Sequence, residues 1–229
     1  MAIRQRAVDL EGKEERRHAI LDAAERLLTR APDRIASVAE VADEAGLAKG
    51  TVYLYFPSKD ELLLALHERH VEGYFSALIG FLERSPSVAI GDMLEITLAH
   101  LAAKPAFLSL ATRCQGIVET EVPRETAAAF RLRMGERLAA AGAGLERHFP
   151  ELAQGDGVAL LRHTYALILG LWQMCSANAV PSGLAGEACA GQPFEYPREL
   201  ARALRALWEG AIGSRLRPPA AGESRAAVG

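Results

Sequence analysis

Residues 37–62 read SVAEVADEAGLAKGTVYLYFPSKDEL, and this stretch decides the fold. Ser37 followed three residues later by Glu40 is a capping box, in which the serine oxygen accepts a first-turn N–H and the glutamate reaches back. The helix it opens is short, because Gly46 can adopt the left-handed conformation a sharp turn needs. The spacing predicts another short helix over 48–56, closed by Pro57. Ser58-Lys-Asp-Glu61 reads as a second capping box, launching a long helix over about 59–83. Upstream, Ile20, Ala24, Leu27 and Leu28 make one face of an amphipathic helix from Arg16 to Arg30, stopped by Pro32. These pieces form a helix-turn-helix inside a three-helix unit, with the first helix and the start of the fourth as its lid. Val38, Val41, Ala42, Leu47, Val52 and Phe56 supply its core, and Lys49, Thr51, Tyr53 and Tyr55 face outward.

Beyond this unit the pattern stays helical, and no stretch alternates apolar and polar residues long enough to make a sheet. Further helices are expected at about 88–102, 105–120, 123–149, 156–179 and 197–214. Pro86, Pro105, Pro123 and Pro197 fall at or near proposed starts, where proline is tolerated. The fold class is therefore all-α. A helix-turn-helix domain spans 1–60, with residues 1–13 mobile, and a larger helical domain spans 61–216. Residues 181–193 read as a loop and 217–229 as a disordered tail.

Composition constrains function. Half of the 229 residues are hydrophobic and a quarter are charged, as in an ordinary soluble globular protein with a sizeable core. Net charge is -3, and residues 1–60 carry ten basic and eleven acidic side chains. Contact with nucleic acid would have to come from where charges sit: two lysines and no acid lie between Gly46 and Lys59. Cys114, Cys175 and Cys189 form no C-x-x-C pair, which argues against a disulfide framework or zinc site and suits a reducing, cytoplasmic setting. The N-terminus lacks an apolar signal core, and the most apolar run, 165–180, is too short and polar to span a membrane. There is no G-x-S-x-G elbow, phosphate loop or metal-ligand cluster, so neither an enzyme nor a cofactor is expected.

The run AEVADEAGLAKGTVYLYFPSKDELL resembles the DNA-binding signature of the TetR/AcrR family of bacterial one-component transcriptional regulators. The hallmarks stand at Ala42, Gly46, Lys49-Gly-Thr51, Tyr53, Phe56, Lys59 and Leu62, and the likeness covers roughly residues 16–64. The resemblance implies that the third helix enters the major groove of double-stranded operator DNA. By the same likeness Ser37, Lys49, Gly50, Thr51, Tyr53, Leu54, Tyr55 and Lys59 make the DNA contacts, with Lys59 on a phosphate. Lysine can donate to guanine or phosphate, threonine suits a phosphate or a thymine methyl, and tyrosine hydroxyls reach phosphates. Ala48 departs from the family's usual Ser or Thr, so a side-chain cap on the third helix is missing. Ala39 is too short to reach far into the groove.

The resemblance also implies a homodimer and a small-molecule effector of unknown identity. Ala159, Ala166 and Gly170 form a small-residue stripe on one late helix, and Leu200, Leu204, Leu207, Trp208 and Ala211 an apolar face on the next. These residues are the expected dimer interface, although both faces could instead close the monomer's own core. Several polar residues interrupt the apolar periodicity of the middle helices: His100, Arg113, Gln115, Glu119, His163, Tyr165 and Gln173. The expected effector pocket takes His100, Phe107, Arg113, Met134, His163, Tyr165, Trp172 and Gln173. A buried Arg113 would need a partner, either an anionic ligand or a carboxylate such as Glu119. His67 and His70 could share a metal, but no third ligand is evident and solvent-exposed histidines are the simpler reading. The expected function is a ligand-released repressor of a palindromic operator. The alternative is an interaction module that keeps the helix-turn-helix core without specific DNA binding.

Overall fold

The computed structural model describes residues 2–32, 34–177 and 195–213, and the expected loop over 181–193 and the tail over 217–229 lie outside them. The described residues form nine α-helices and no strand: α1 (Ala2–Arg30), α2 (Val38–Ala45), α3 (Lys49–Tyr55), α4 (Lys59–Arg84), α5 (Ile90–Thr97), α6 (Pro105–Thr120), α7 (Arg124–His148), α8 (Asp156–Ala177) and α9 (Tyr196–Gly213). A π-helical turn, Leu98–Ala102, continues α5. The first helix runs back to Ala2, well before its expected start at Arg16. Ile3, Ala7 and Leu10 in this extension fall at helical spacing.

Local signals account for the small unit. The Ser37 capping box is complete: the Glu40 N–H donates to the serine hydroxyl at 3.3 Å and the Ser37 N–H donates to the Glu40 carboxylate at 2.8 Å. Gly46 ends α2 at φ +67°, a conformation that strains any residue with a Cβ, and its N–H returns to the α2 carbonyls. Ala48 gives α3 no side-chain cap, as its chemistry requires. At Ser58 only half of the second box forms. The Glu61 N–H donates to the Ser58 hydroxyl, while the Glu61 carboxylate accepts from the hydroxyls of Ser58 and Thr126. Ser37→Ala should cost about 1 kcal/mol by losing the cap, visible as a melting temperature lowered by about 2–4 °C.

Two hydrophobic clusters organise the chain. The first joins Ile20, Leu21, Ala24 and Leu28 of α1 to Val38, Val41, Ala42, Val52, Phe56 and Leu62, with Leu47 packed against it half-buried. It is also closed by α6, through Ala106, Leu110, Cys114 and Ile117. The expected lid of two helices is thus joined by α6. The second cluster fills the rest of the molecule and takes Phe107, Leu108 and Ala111 from the same α6. One helix divides its faces between both cores. In the second, α9 inserts Tyr196, Leu200, Leu204 and Trp208, and the Trp208 indole donates to Thr164 of α8 at 2.9 Å.

Where α7 and α8 cross, Gly142 and Gly157 bring the two backbones into contact. A Cβ on Gly157 would overlap the Gly142 carbonyl, and one on Gly142 would lie 2.8 Å from the Val158 nitrogen. Among the described residues no single helix is long and apolar enough to cross a membrane.

Candidate nucleic-acid interface and cavity

The third helix divides its residues between a buried and an exposed side by helical period. Val52 and Phe56 point into the core, and Tyr55, three residues from Val52, packs half-buried against the same cluster. The expectation that Tyr55 faces outward is therefore corrected. Lys49, Gly50, Tyr53 and Leu54 lie exposed on the opposite side, Leu54 at 79% and Tyr53 at 41%. The Lys49 ammonium stands 5.9 Å above the Tyr53 ring, a cation–π arrangement that holds both side chains on one face. Thr51 is half-buried beside them, and Lys59 is half-buried in the first turn of α4. Ser37 is exposed at the start of α2, where its oxygen serves as the cap.

Charge pairing explains how an acid-balanced unit keeps a positive face. Arg26 and Arg30 of α1 each reach Glu44 at 2.7 Å. Arg34 reaches Glu40 at 2.6 Å. Hydrogen bonds from Arg30 and Arg26 hold the Glu44 carboxyl down at about 2, and those from Arg34 and Ser37 do the same for Glu40. Glu40 and Glu44 are thus paired locally, while Asp43 of the same helix is exposed outside these pairs. Among the described residues no salt bridge involves Lys49 or Lys59.

A cavity of about 300 Å³ lies between α4, the π-helical turn, α6, α7 and α8. Its walls are mostly apolar, with Val71, Phe75, Leu101, Phe130, Met134 and Leu161 prominent. Of the expected pocket residues, Met134 and Tyr165 line it. The other six do not. Phe107 is fully buried behind the wall, and Arg113, His163 and Gln173 are exposed. Arg113 falls on the solvent side of α6 because the buried stripe runs through Leu110, Cys114 and Ile117. His100 sits half-buried in the π-helical turn, and Trp172 stacks edge-on against Tyr196 at 5.3 Å. The expected dimer residues need a similar correction. Leu200, Leu204 and Trp208 are wholly enclosed in the monomer's own core and have no surface to offer a partner.

Sequence reasoning took His67 for a solvent-exposed residue, and the structure corrects it. It is 5% exposed, lines the cavity, and its Nε2 lies 3.0 Å from the Tyr165 hydroxyl. The signal was present: His67 lies on the α4 stripe Leu63, His67, Val71, Tyr74, Leu78, all buried. Its ring stacks on Phe107 at 5.7 Å. Phe107 also touches His70, at 5.5 Å, and His70 contacts Glu25 of α1 at 2.7 Å. The neighbouring Arg69 reaches Asp22 and the Leu21 carbonyl. Burial works to raise the Glu25 pKa, but His70 and Arg69 outweigh it and hold the carboxyl below its usual range. The two histidines thus have separate duties, one toward the cavity and one toward α1. Among the described residues no three potential ligands gather to hold a metal.

Desolvation pushes the His67 pKa down from 6.5 to about 4, with repulsion from His70 adding to it. Native protein therefore refuses a proton that the unfolded chain takes up below 6.5. Stability should fall as pH drops from 6.5 to 4, by about 3 kcal/mol from this group, and level off below. Subtracting the pH profile of a His67→Leu variant, measured by urea unfolding, isolates the contribution. Parallel profiles would show that His67 is not held neutral.

Comparison with known proteins agrees with this architecture. Residues 20–66 match the bacterial regulatory proteins of the tetR family, and residues 68–215 match the tetracyclin repressor-like C-terminal domain. The transcriptional regulator EthR of Mycolicibacterium smegmatis is 32% identical over 96 residues, 41% of this chain and 44% of that protein. The transcriptional activator FasR of the same species is 38% identical over 66 residues, 29% of this chain and 30% of that protein. The chain thus spans less than half the length of these curated relatives, both of which are helix-turn-helix transcriptional regulators. A putative transcriptional regulator from Pseudomonas aeruginosa shares the fold with a TM-score of 0.57 at 19% identity, covering 90% of this chain and 95% of that one. A putative TetR-family regulator from Mesorhizobium loti does so with a TM-score of 0.55 at 16% identity, covering 88% and 96%. With both parts of the chain matched and a helix-turn-helix at its front, this protein belongs to the TetR family of bacterial transcriptional regulators.

Proposed function

We propose that the chain is a cytoplasmic, ligand-responsive repressor that binds a palindromic operator as a homodimer and is released by a small molecule in the cavity. The observation that carries this reading is that α4 serves both ends. It starts directly after the recognition helix, and its buried face forms a cavity wall through His67, Val71 and Phe75. A ligand that prefers one position of α4 shifts the recognition helix with it, and DNA must weaken that ligand's binding by the same factor. The division into a DNA-binding domain over 1–60 and an effector and dimerisation domain over 61–216 belongs to this proposal, with α6 as the element they share.

The outer faces of α8 and α9 suit a twofold partner. With Leu200, Leu204 and Trp208 turned inward, the outer faces carry Ala166, Gly170 and Met174 on α8 and Ala206, Leu207 and Gly210 on α9, flanked by charged residues such as Arg202, Arg205 and Glu209. Small side chains there let helices approach closely in a bundle. Light scattering should give a dimer mass. Footprinting on DNA upstream of the gene should protect two half-sites about 10 base pairs apart or a multiple. A reporter fused to that DNA reads the sign of regulation. A monomer without a footprint would leave an interaction module that has kept only the fold.

A further inference from the structure

Resting on the effector reading above, we infer that the cavity selects an uncharged, largely apolar molecule with one hydrogen-bonding group, and that this group takes the place of Tyr165 on His67. The cavity volume admits a body of roughly ten non-hydrogen atoms or more, at ~30 Å³ each. Its buried polar side chains are mostly satisfied by one another: Tyr74 with Thr97 at 3.2 Å, and Thr164 with Trp208 at 2.9 Å. His67 is the exception. It has a single side-chain partner, the Tyr165 hydroxyl, and its Nδ1 is buried with no partner. His67 Nε2 is held by one exchangeable hydroxyl, so a molecule entering an apolar cavity with one polar group can take that place without leaving the nitrogen unbonded.

Charge is the second criterion. The charged side chains lining the cavity, Glu119, Arg131 and Arg162, are all solvent-exposed, and Glu119 and Arg131 bind each other at 2.7 Å. Beside His67 there are aromatic rings, Phe107 and Phe130, and no counter-charge inside the cavity. Glu68, on the next residue, is engaged by Arg133 and Arg137 outside it. An ionised head buried there would be unpaired. A displaced Tyr165 hydroxyl stays in the cavity wall with Gln115, a polar side chain of the same lining. Exchange also unties α8 from α4, since the Tyr165–His67 bond joins them.

The test uses full-length protein and three probes with one alkyl chain: decanol, decanoate and decylammonium. Calorimetric titration should show decanol binding at least about tenfold more tightly than either ion. Tyr165→Phe frees His67 and should tighten decanol several-fold, whereas His67→Leu should weaken it by about tenfold. Decanoate binding as tightly as decanol would overturn the inference in favour of an anion held by Arg162. So would a Tyr165→Phe variant that weakens decanol as His67→Leu does, since the hydroxyl would then be a ligand contact and not a competitor. Either result leaves the effector cavity standing. If wild-type protein binds none of the three and none changes operator occupancy, the cavity reading falls and this inference with it. The probe series on wild-type protein decides the charge criterion even if a variant folds poorly.

Discussion

Lys49→Ala combined with Tyr53→Ala should lower operator affinity by about thirtyfold or more, with the melting temperature almost unchanged. Both residues stand on the exposed face of α3, so neither is needed for the core. A side-chain contact to a base edge contributes about 1–3 kcal/mol, and two such losses compound to the stated range. The lysine sits over the tyrosine ring, so the single variants should not add up to the double one. Mobility shift titrations on wild-type, single and double variants measure this, alongside a Val52→Ala control. That control removes a residue with no exposed surface and should lose stability instead. Unchanged DNA binding in the double variant would dismiss α3 as the reading element.

Gly157→Ala should destabilise the protein by about 3 kcal/mol or more, lowering the melting temperature by roughly 6–12 °C. The added methyl would meet the Gly142 main chain, which can yield only if α7 and α8 move apart. Sign makes the prediction sharp. Alanine at an unobstructed interior helix position is favoured over glycine by about 1 kcal/mol. Gly135, on α7 with open space around it, supplies the control: Gly135→Ala should raise the melting temperature by a few degrees. If both variants behave alike, the helices do not touch at the glycines.

These results bear on what could be read from the residues alone. The helix-turn-helix was legible because its signals are local: the Ser37 cap, Gly46 at positive φ, the Pro57 stop. Helices beginning at Pro105 and just after Pro123 were legible for the same reason. The inward face of α9 was read correctly as apolar but given the wrong neighbour. A stripe of Leu200, Leu204 and Trp208 says that something covers it, not whether the cover is α8 or a second subunit. Arg113 and His67 were exchanged in burial. Each depended on the rotation of a helix whose two sides both carry apolar residues, and α6, shared between two cores, has such a pattern.

The pairing of the α2 carboxylates with Arg26, Arg30 and Arg34 carries a consequence for ionic strength. Arg34 is matched one to one by Glu40, whereas Arg26 and Arg30 share the single Glu44 carboxylate, so the pairing damps most of their charge but not all of it. Lys49 and Lys59 are free of such partners, so a dimer brings four of these ammonium groups to the phosphates. Four displaced counterions correspond to a slope of about −4 in log affinity against log salt concentration. The measured slope then becomes a census of contacts. A value near −4 leaves the lysines as the whole electrostatic grip, and every further unit marks another cation brought to the duplex, the shared charge of Arg26 and Arg30 among the candidates.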